Sequence, residues 1–570
     1  MNPVFFLVLR QMRVPLLLLS SVYAIATIGL TLIPGVDGEG DLWYLDFFHA
    51  FYFVSFMGTT TGFGEIPYPF SDGQRMWVLL FIYITVATWI YTIGRLISVL
   101  SSDMLRNAIT AYHFTRQVKM IRAPFSLICG HGDAGSKLVD AMRRRMLSAT
   151  VIEIQQERVD ALILIDSEIA VPAICGDAGI PDNLLLAGIT HPMCRNVVAL
   201  TEDNAVNLHI AITAKVLNPS VTVISRASAH DIEANMASFG TEHIIDPFDS
   251  FARDLGLATY APYQFLLSLW LRSEPGDPLR EAQRVPEGKW IICGYGRFGQ
   301  AIHKEMVNQD LSVQIVEPDA ELPNMTPDAI IGDGTGAEIL LRAGVESAVG
   351  IIAGTDDDSN NLSIIVTAKA LNPNLFVIVR QNEHTNGSLF KASNANVAME
   401  ASGVIARKIK TILTNHSIDE FLSLARARDD RWARVLTSRI RQLSREIYYN
   451  GNVLPESWEL VIGGSETPAL MRALEKDVSV RIGHLLQDHT ARDTVLPAIV
   501  LFYSGKSGAF CLPPIHTLLA EGDKLLFLGG AAARWKMGWT QQNDIALEYV
   551  LTGQTRPQSY IGRWLASRSA

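Results

Sequence analysis

Two long apolar runs open the chain, and nothing comparable recurs after them. Residues 14–33 carry no charge over 20 positions, and residues 76–93 carry none over 18. A spanning helix needs about 20 apolar residues, a length the second run reaches by continuing past Arg95 to Leu100. The pattern predicts an outer helix over 14–33 and an inner helix over 76–100. The first run is longer than the apolar core of a cleaved leader, and no small-residue cleavage site follows it. Between the runs, DFFHAFYFVSFMG (46–58) is apolar and aromatic but too short to cross. It reads as a re-entrant helix over 46–59. The next residues complete the stretch MGTTTGFGEIPYPF (57–70), whose glycines and prolines suit neither helix nor strand. Irregular backbone at membrane depth is tolerated only where it is buried in protein or lines an aqueous path. Glycine permits positive φ at alternate residues, so successive carbonyls can face one side. Five extended residues reach at most ~17 Å, room for several cation sites in file.

Further along, the pattern changes to short apolar strands alternating with amphipathic helices, and it occurs twice. FSLICGHGDAG (125–135) matches KWIICGYGRFG (289–299) at an offset of 164, which also relates Glu153 to Glu317. The offset is 156 from Asp177 to Asp333 and 154 from Arg226 to Arg380. A nearly constant offset means duplicated domains with small length changes in loops. Strand–helix alternation predicts two parallel, doubly wound sheets. G-x-G-x-x-G after a strand, with an acid about 20 residues on, is the dinucleotide fingerprint. The glycines allow a tight turn and close approach of a pyrophosphate, and the acid accepts from a ribose. The candidate cofactor residues are Gly294, Gly296, Arg297, Gly299, Glu317 and Asp333 in the second copy, and Gly130, Gly132, Gly135 and Glu153 in the first. The second copy is the stronger candidate, because Asp133 stands in the first turn where the second has Arg297, and an acid there repels phosphate. The expected divisions are a pore domain over 1–105, a linker over 106–122, a first α/β domain over 123–285 and a second over 286–445. An α+β lobe follows over 446–540, with a tail over 541–570.

Charge sets the orientation. Arg10 and Arg13 precede the first span. Six acids against Arg75 lie between the spans, and five basic residues against Asp103 follow the second. Basic flanks stay in the cytoplasm, so both termini are expected there and the loop outside. Five cysteines on the cytosolic side are expected as buried thiols rather than disulfides. Charged residues are only 19%, and a net charge of −10 argues against nucleic acid as a partner. Asp356-Asp357-Asp358 reads better as a helix N-cap than as a cation site. Ile93, Ile97 and Leu100 share one face of the inner helix and form a candidate hydrophobic gate.

TTTGFGE resembles the potassium-channel signature T-V-G-Y-G-D, placing Thr60, Thr61, Gly62, Phe63 and Gly64 at the selectivity filter. Thr61 and Phe63 depart from that signature, which keeps a non-selective cation channel as an alternative. The duplicated half resembles the RCK, or TrkA N-, domain over roughly 123–250 and 288–402, and residues 451–530 resemble its C-terminal companion. Together the chain resembles a prokaryotic two-span potassium channel with tandem RCK domains, of the multi-ligand-gated type. That resemblance implies an α-helical membrane pore followed by two Rossmann-like domains and a TrkA-C-like lobe. It also implies K+ as permeant ion, regulation by NAD or ADP/ATP and by Ca2+, and no enzyme activity. The metal site is unassigned. One filter loop per chain means a homotetramer, and the resemblance implies that its eight RCK domains form a gating ring, in a protein set in the lipid of an inner membrane. Many relatives carry a glycine hinge midway along the inner helix; here Gly94, near its end, is the candidate. A membrane-anchored NAD-dependent oxidoreductase is the rival reading.

Overall fold

The computed structural model describes residues 3–165, 170–227, 230–282, 284–414, 416–449, 451–464, 466–506 and 508–554. The chain divides into two compact units, 1–122 with two short later pieces, and most of the remainder. In the first unit, α1 (Pro3–Leu32), α2 (Phe47–Gly58), α3 (Asp72–Leu100) and α4 (Asp103–Lys119) follow one another. Helix α1 begins 11 residues before the run that announced it. Arg10 and Arg13 end the apolar stretch but are good helix formers, so charge limits the apolar span without ending the helix. Helix α3 starts at Asp72 because Ser71 and Gln74 form a reciprocal capping box. Gln74 also donates to the Ile33 carbonyl at 3.2 Å, and Trp77 donates to the Ala26 carbonyl at 3.0 Å. Both polar groups thereby tie α3 to α1. A side chain on Gly29 would fall 2.0 Å from the Trp77 ring, so that glycine allows the close approach. Thr85, Thr88 and Thr92 return their hydroxyls to carbonyls four residues back, which satisfies them inside an apolar helix. Helix α3 runs through Gly94 to Leu100 without a break.

The second unit holds two six-stranded sheets of identical topology. The first has spatial order Ala173–Cys175, Ser148–Glu153, Phe125–Cys129, Cys194–Ala199, Thr222–Arg226, His243–Ile245. The second runs Ile330–Ile331, Ser312–Glu317, Lys289–Cys293, Gly350–Ala353, Phe376–Gln381, Val397–Glu400. The ladders within the second sheet are all parallel. Central strands such as Ile291-Ile292 and Ile351-Ile352 are wholly buried, as helices on both faces require. The order reverses between the first and fourth strands of each sheet, and ligands bind doubly wound folds at such a switch point. An antiparallel sheet, Glu456–Val461, Lys524–Gly529, Ala498–Gly505, Gly508–Cys511, forms the last lobe. This lobe continues past 540: Leu547 of the helix Asp544–Thr552 enters its core, and Asp544 pairs with Arg472 at 2.9 Å. Residues 555–570 of the expected tail lie outside the described residues. All five cysteines are free. Cys129, Cys194 and Cys293 are buried as expected, but Cys175 is exposed at the end of an edge strand.

The two α/β domains exchange their last helices. Helix Pro247–Tyr260, which follows the first sheet, packs on Arg297–Asn308, the fingerprint helix of the second. Helix Ala401–Thr414, which follows the second sheet, packs on Asp133–Arg144, the fingerprint helix of the first. Phe298, fully buried, touches the rings of Phe248 and Phe251 at 5.9 and 5.7 Å. Lys137 reaches the Glu400 carboxylate and the Ser402 hydroxyl across the other seam. Helix Pro262–Arg272 joins a shared core with Phe421, Leu436 and Ile440. Its first two amides donate to Asp430, which supplies the cap its own sequence lacks. Phe298→Ala should destabilise the full-length protein by about 3–5 kcal/mol, the usual cost of emptying a buried aromatic site. Thermal melting should show one lowered transition, and a melting curve equal to wild type would contradict the exchange.

Candidate functional site

The loop after α2 is built from its cap outward. Asp46 accepts from the His49 amide at 2.9 Å and starts the helix, while Thr59 ends it. The Thr60 and Thr61 amides then bond back to the Met57 and Phe56 carbonyls. Positive φ falls on Thr60 (60°), Gly62 (69°) and Gly64 (95°), every second residue. A Cβ at Gly62 or Gly64 would meet nothing within 4 Å, so these glycines answer to backbone conformation and not to lack of space. Thr60 adopts the left-handed region without that freedom. Thr59 and Thr61 share a hydroxyl bond at 3.0 Å, and the Phe63 ring meets Phe56 edge-on at 5.6 Å. Glu65 accepts from the Phe70 amide and pairs with Arg75 at 2.9 Å, closing the loop on the start of α3. Ile93, Gly94, Ile97 and Leu100 are all exposed in the single chain.

The dinucleotide-type turns repeat with close agreement. Gly294 (φ 92°) and Gly130 (φ 100°) make the turn. A Cβ on Gly294 would come within 2.9 Å of the Thr355 amide, and one on Gly130 within 3.0 Å of the Leu200 carbonyl. A Cβ on Gly299 or Gly135 would stand 2.1 or 2.2 Å from the carbonyl oxygen of Gly294 or Gly130. Gly296 and Gly132 cap their helices without a side-chain bond, which leaves the first amides available to an anion. Glu317 and Glu153, both buried, hold these turns in place. Glu317 accepts from the Tyr295 amide at 2.6 Å and the Asp319 amide at 3.2 Å. Glu153 accepts from the amides of His131 and Gln155. Asp333 is exposed beyond its strand and accepts from the Thr335 amide at 3.0 Å.

Arg297, at the first position of its helix, lies with its guanidinium 5.0 Å from the centre of the Phe248 ring. Arg380 lies 4.9 Å from the same ring. The ring belongs to the exchanged helix, so Arg297 carries contact with the first domain to the edge of the second turn. Burial, with Arg297 close by, pushes the Arg380 and Arg226 guanidinium pKa values down. In the first domain Arg158 approaches Gly132, with its Nη1 3.2 Å from an added Cβ. That guanidinium brings a positive charge to the first turn, and no fixed spacing announces it.

Sequence reasoning also passed over a duplicated clamp. Asn361, fully buried, accepts from the Thr355 amide and hydroxyl and donates to the Thr355 and Arg380 carbonyls. Asn207 repeats all four bonds with Thr201 and Arg226. The spacing T-x-D-x-x-x-N, present at 201–207 and 355–361, is the signal that marks it. Asp357 caps its helix through the Asn360 amide. Asp358 is taken up by Asn382, Glu383 and Asn386. Among the described residues no group of three His, Cys, Asp or Glu is placed to hold a metal ion.

This fold and these turns define a pair of dinucleotide-type domains that follow two apolar helices in the sequence. Residues 126–247 and 290–401 match the TrkA-N domain, so the tandem TrkA-N domains expected from the duplicated glycine motif are present. Potassium channel protein 1 of Methanocaldococcus jannaschii is 27% identical over 207 residues, covering 35% of this chain and 61% of that protein. Probable potassium channel protein 2 of the same organism is 26% identical over 141 residues, covering 24% and 41%. The chain thus spans less than two thirds of the length of these curated relatives. Among solved structures, the GsuK channel bound to NAD is similar over 94% of this chain and 99% of that one, at 14% identity and a TM-score of 0.47.

Gly299→Ala forces a Cβ against the Gly294 carbonyl and should lower the melting temperature of the full-length protein by several degrees. Gly296→Ala, whose Cβ meets nothing within 4 Å, should leave it within a degree or so of wild type. Equal effects from the two would refute this account of the turn.

Proposed function

We propose that this protein is a potassium channel of a prokaryotic inner membrane, gated by nucleotides at its TrkA-N domains. The observation that carries the reading is the loop 60–64, where every second residue has positive φ directly after a capped short helix between two apolar helices. Such alternation lets carbonyl oxygens face one side, and a ring of those oxygens replaces the hydration shell of K+. Thr60, Thr61, Gly62, Phe63 and Gly64 form the filter in this reading. One loop per chain requires four chains around the pore, hence a homotetramer with eight TrkA-N domains below it. Both termini lie in the cytoplasm, and residues 34–75 face outside.

The regulatory ligand is an adenine nucleotide or dinucleotide, of which NAD, ADP and ATP are the natural probes. Gly294, Gly296 and Gly299 let its phosphates approach the helix start, Glu317 meets a ribose, and Arg297 supplies charge beside the turn. The ligand gates only by binding open and closed arrangements with different affinity. Gate closure falls to Ile93, Ile97 and Leu100, with Gly94 as the hinge. The protein is then not an enzyme, consistent with relatives named as potassium channels.

Reconstituted full-length protein under opposed K+ and Na+ gradients should reverse near the K+ equilibrium potential. Reversal near zero would instead support the non-selective channel, and absence of any current would restore the oxidoreductase. Ile97→Asp should hydrate the constriction and raise ligand-free conductance, and unchanged conductance would remove Ile97 from the gate. Glu317→Ala and Arg297→Ala should each weaken NAD or ADP binding about tenfold, the worth of a charge-assisted hydrogen bond. Equilibrium binding to the purified full chain measures this.

A further inference from the structure

A cavity of about 330 Å³ is lined by no residue of either glycine turn. Its walls come from helices Pro247–Tyr260 and Pro262–Arg272, after the first sheet, and from Ala401–Thr414 and His416–Ala425, after the second. Strand His243–Ile245 and the preceding Glu242 complete it. Four cationic side chains line the cavity, Arg253, Arg272, Lys408 and Arg426, against three acids, Glu242, Asp254 and Asp419. Two of the acids are already engaged. Glu242 holds Lys215 and the Val223 amide, and Asp419 accepts from Arg272 at 3.2 Å. Asp254 and Asp419 face Lys408 from the acidic side, against Arg253 and Arg272 from the other.

The interior cations are poorly supplied with acceptors. The Lys408 ammonium donates to the Ser250 hydroxyl at 2.7 Å, one neutral acceptor for a group with three donors. Burial, helped by Arg253, pushes its pKa down to about 8. The Arg272 Nε is fully enclosed and has no hydrogen-bond partner among the described residues. Buried charges in proteins are paired or bound to a ligand, and this cavity gathers several that lack full pairing. Arg253 and Arg426 are exposed and stand at its rim.

We propose that this cavity is a binding site for a phosphate group, with Lys408 and Arg272 inside and Arg253 and Arg426 at the rim. A tetrahedral oxyanion offers more acceptor oxygens, spread out of one plane, than a carboxylate does, and guanidinium forks match it. The volume exceeds that of a bare ion and reaches the lower end of small-ligand pockets, so a small phosphomonoester fits as well as free phosphate. Because the walls come from helices following both sheets, a bound anion ties the two domains together without using a residue of either dinucleotide turn. This site stands whether or not the chain conducts potassium.

The test is equilibrium titration of the purified full-length protein by calorimetry, with inorganic phosphate in one arm and glycerol 3-phosphate in the other. Saturable binding of either probe is expected; binding of the ester alone or of phosphate alone assigns the source. Lys408→Met keeps the aliphatic stem and should weaken binding about tenfold or more. Arg253→Gln, at an exposed position that does not threaten folding, should weaken it several-fold. Lys304→Gln, on an exposed helix position outside the cavity, should change nothing. The proposal is overturned by failure of both probes to bind wild type. It is equally overturned by unaltered binding in Arg253→Gln and in folded Lys408→Met, or by an equal loss in Lys304→Gln.

Discussion

The exchange of terminal helices between the two TrkA-N domains is the constraint on which the rest of the α/β architecture depends. A fingerprint helix begins at the glycine turn, so anything bound at the turn acts first on that helix. Here the helix is covered by a segment that follows the other domain's sheet. Phe248 illustrates the consequence: it leaves the first sheet, packs its ring against Phe298 and carries Arg297 and Arg380 over its surface. Charge at the second turn is therefore in contact with the first domain before any ligand arrives. A packed core is not continuously deformable, and this seam joins the second turn to the first domain through such a core. Two glycine turns on separate, uncovered domains would lack that route.

Much of this was legible in the residues. Long apolar runs, the glycine spacing and the constant repeat offset each depend on a local rule, and local rules survive folding. The helix bounds moved where a cap or a good helix former extended the element beyond its apolar part, as at Ser71 and at Arg10. What stayed hidden was non-local. Nothing in the sequence assigns Asp430 to the amides of Tyr263 and Gln264, more than 160 positions away. The same is true of Arg158 beside Gly132 and of the cations that line the cavity. The Thr–Asn clamp is an intermediate case: its spacing is visible twice, but only the bonds from Asn207 and Asn361 to the following strand explain the spacing.

Glu153 and Glu317 join these two levels. A ribose acceptor is the role their position suggests, but both carboxylates already accept from backbone amides of the glycine turn and of the loop after their own strand. Each acid thus fixes the shape of its glycine turn through the protein's own amides. Such preorganisation lowers the cost of ordering a loop on binding.

The pore loop raises the same issue in a harsher setting. A backbone that alternates between left-handed and ordinary residues has no ladder of its own, so its stiffness must come from its flanks. Thr60 takes up the left-handed region at some conformational cost, offset by amide bonds from Thr60 and Thr61 into the end of α2. Phe63 has no hydroxyl with which to anchor itself, but its ring meets Phe56 of the same short helix edge-on, a contact worth about 0.5–1.5 kcal/mol. That is comparable with the net worth of a single hydrogen bond. An aromatic contact to the short helix can thus replace a phenolic anchor in strength, though with less directional precision. The Phe56–Phe63 contact and the Thr59–Thr61 hydroxyl bond are therefore what tie the middle of the loop to its flank.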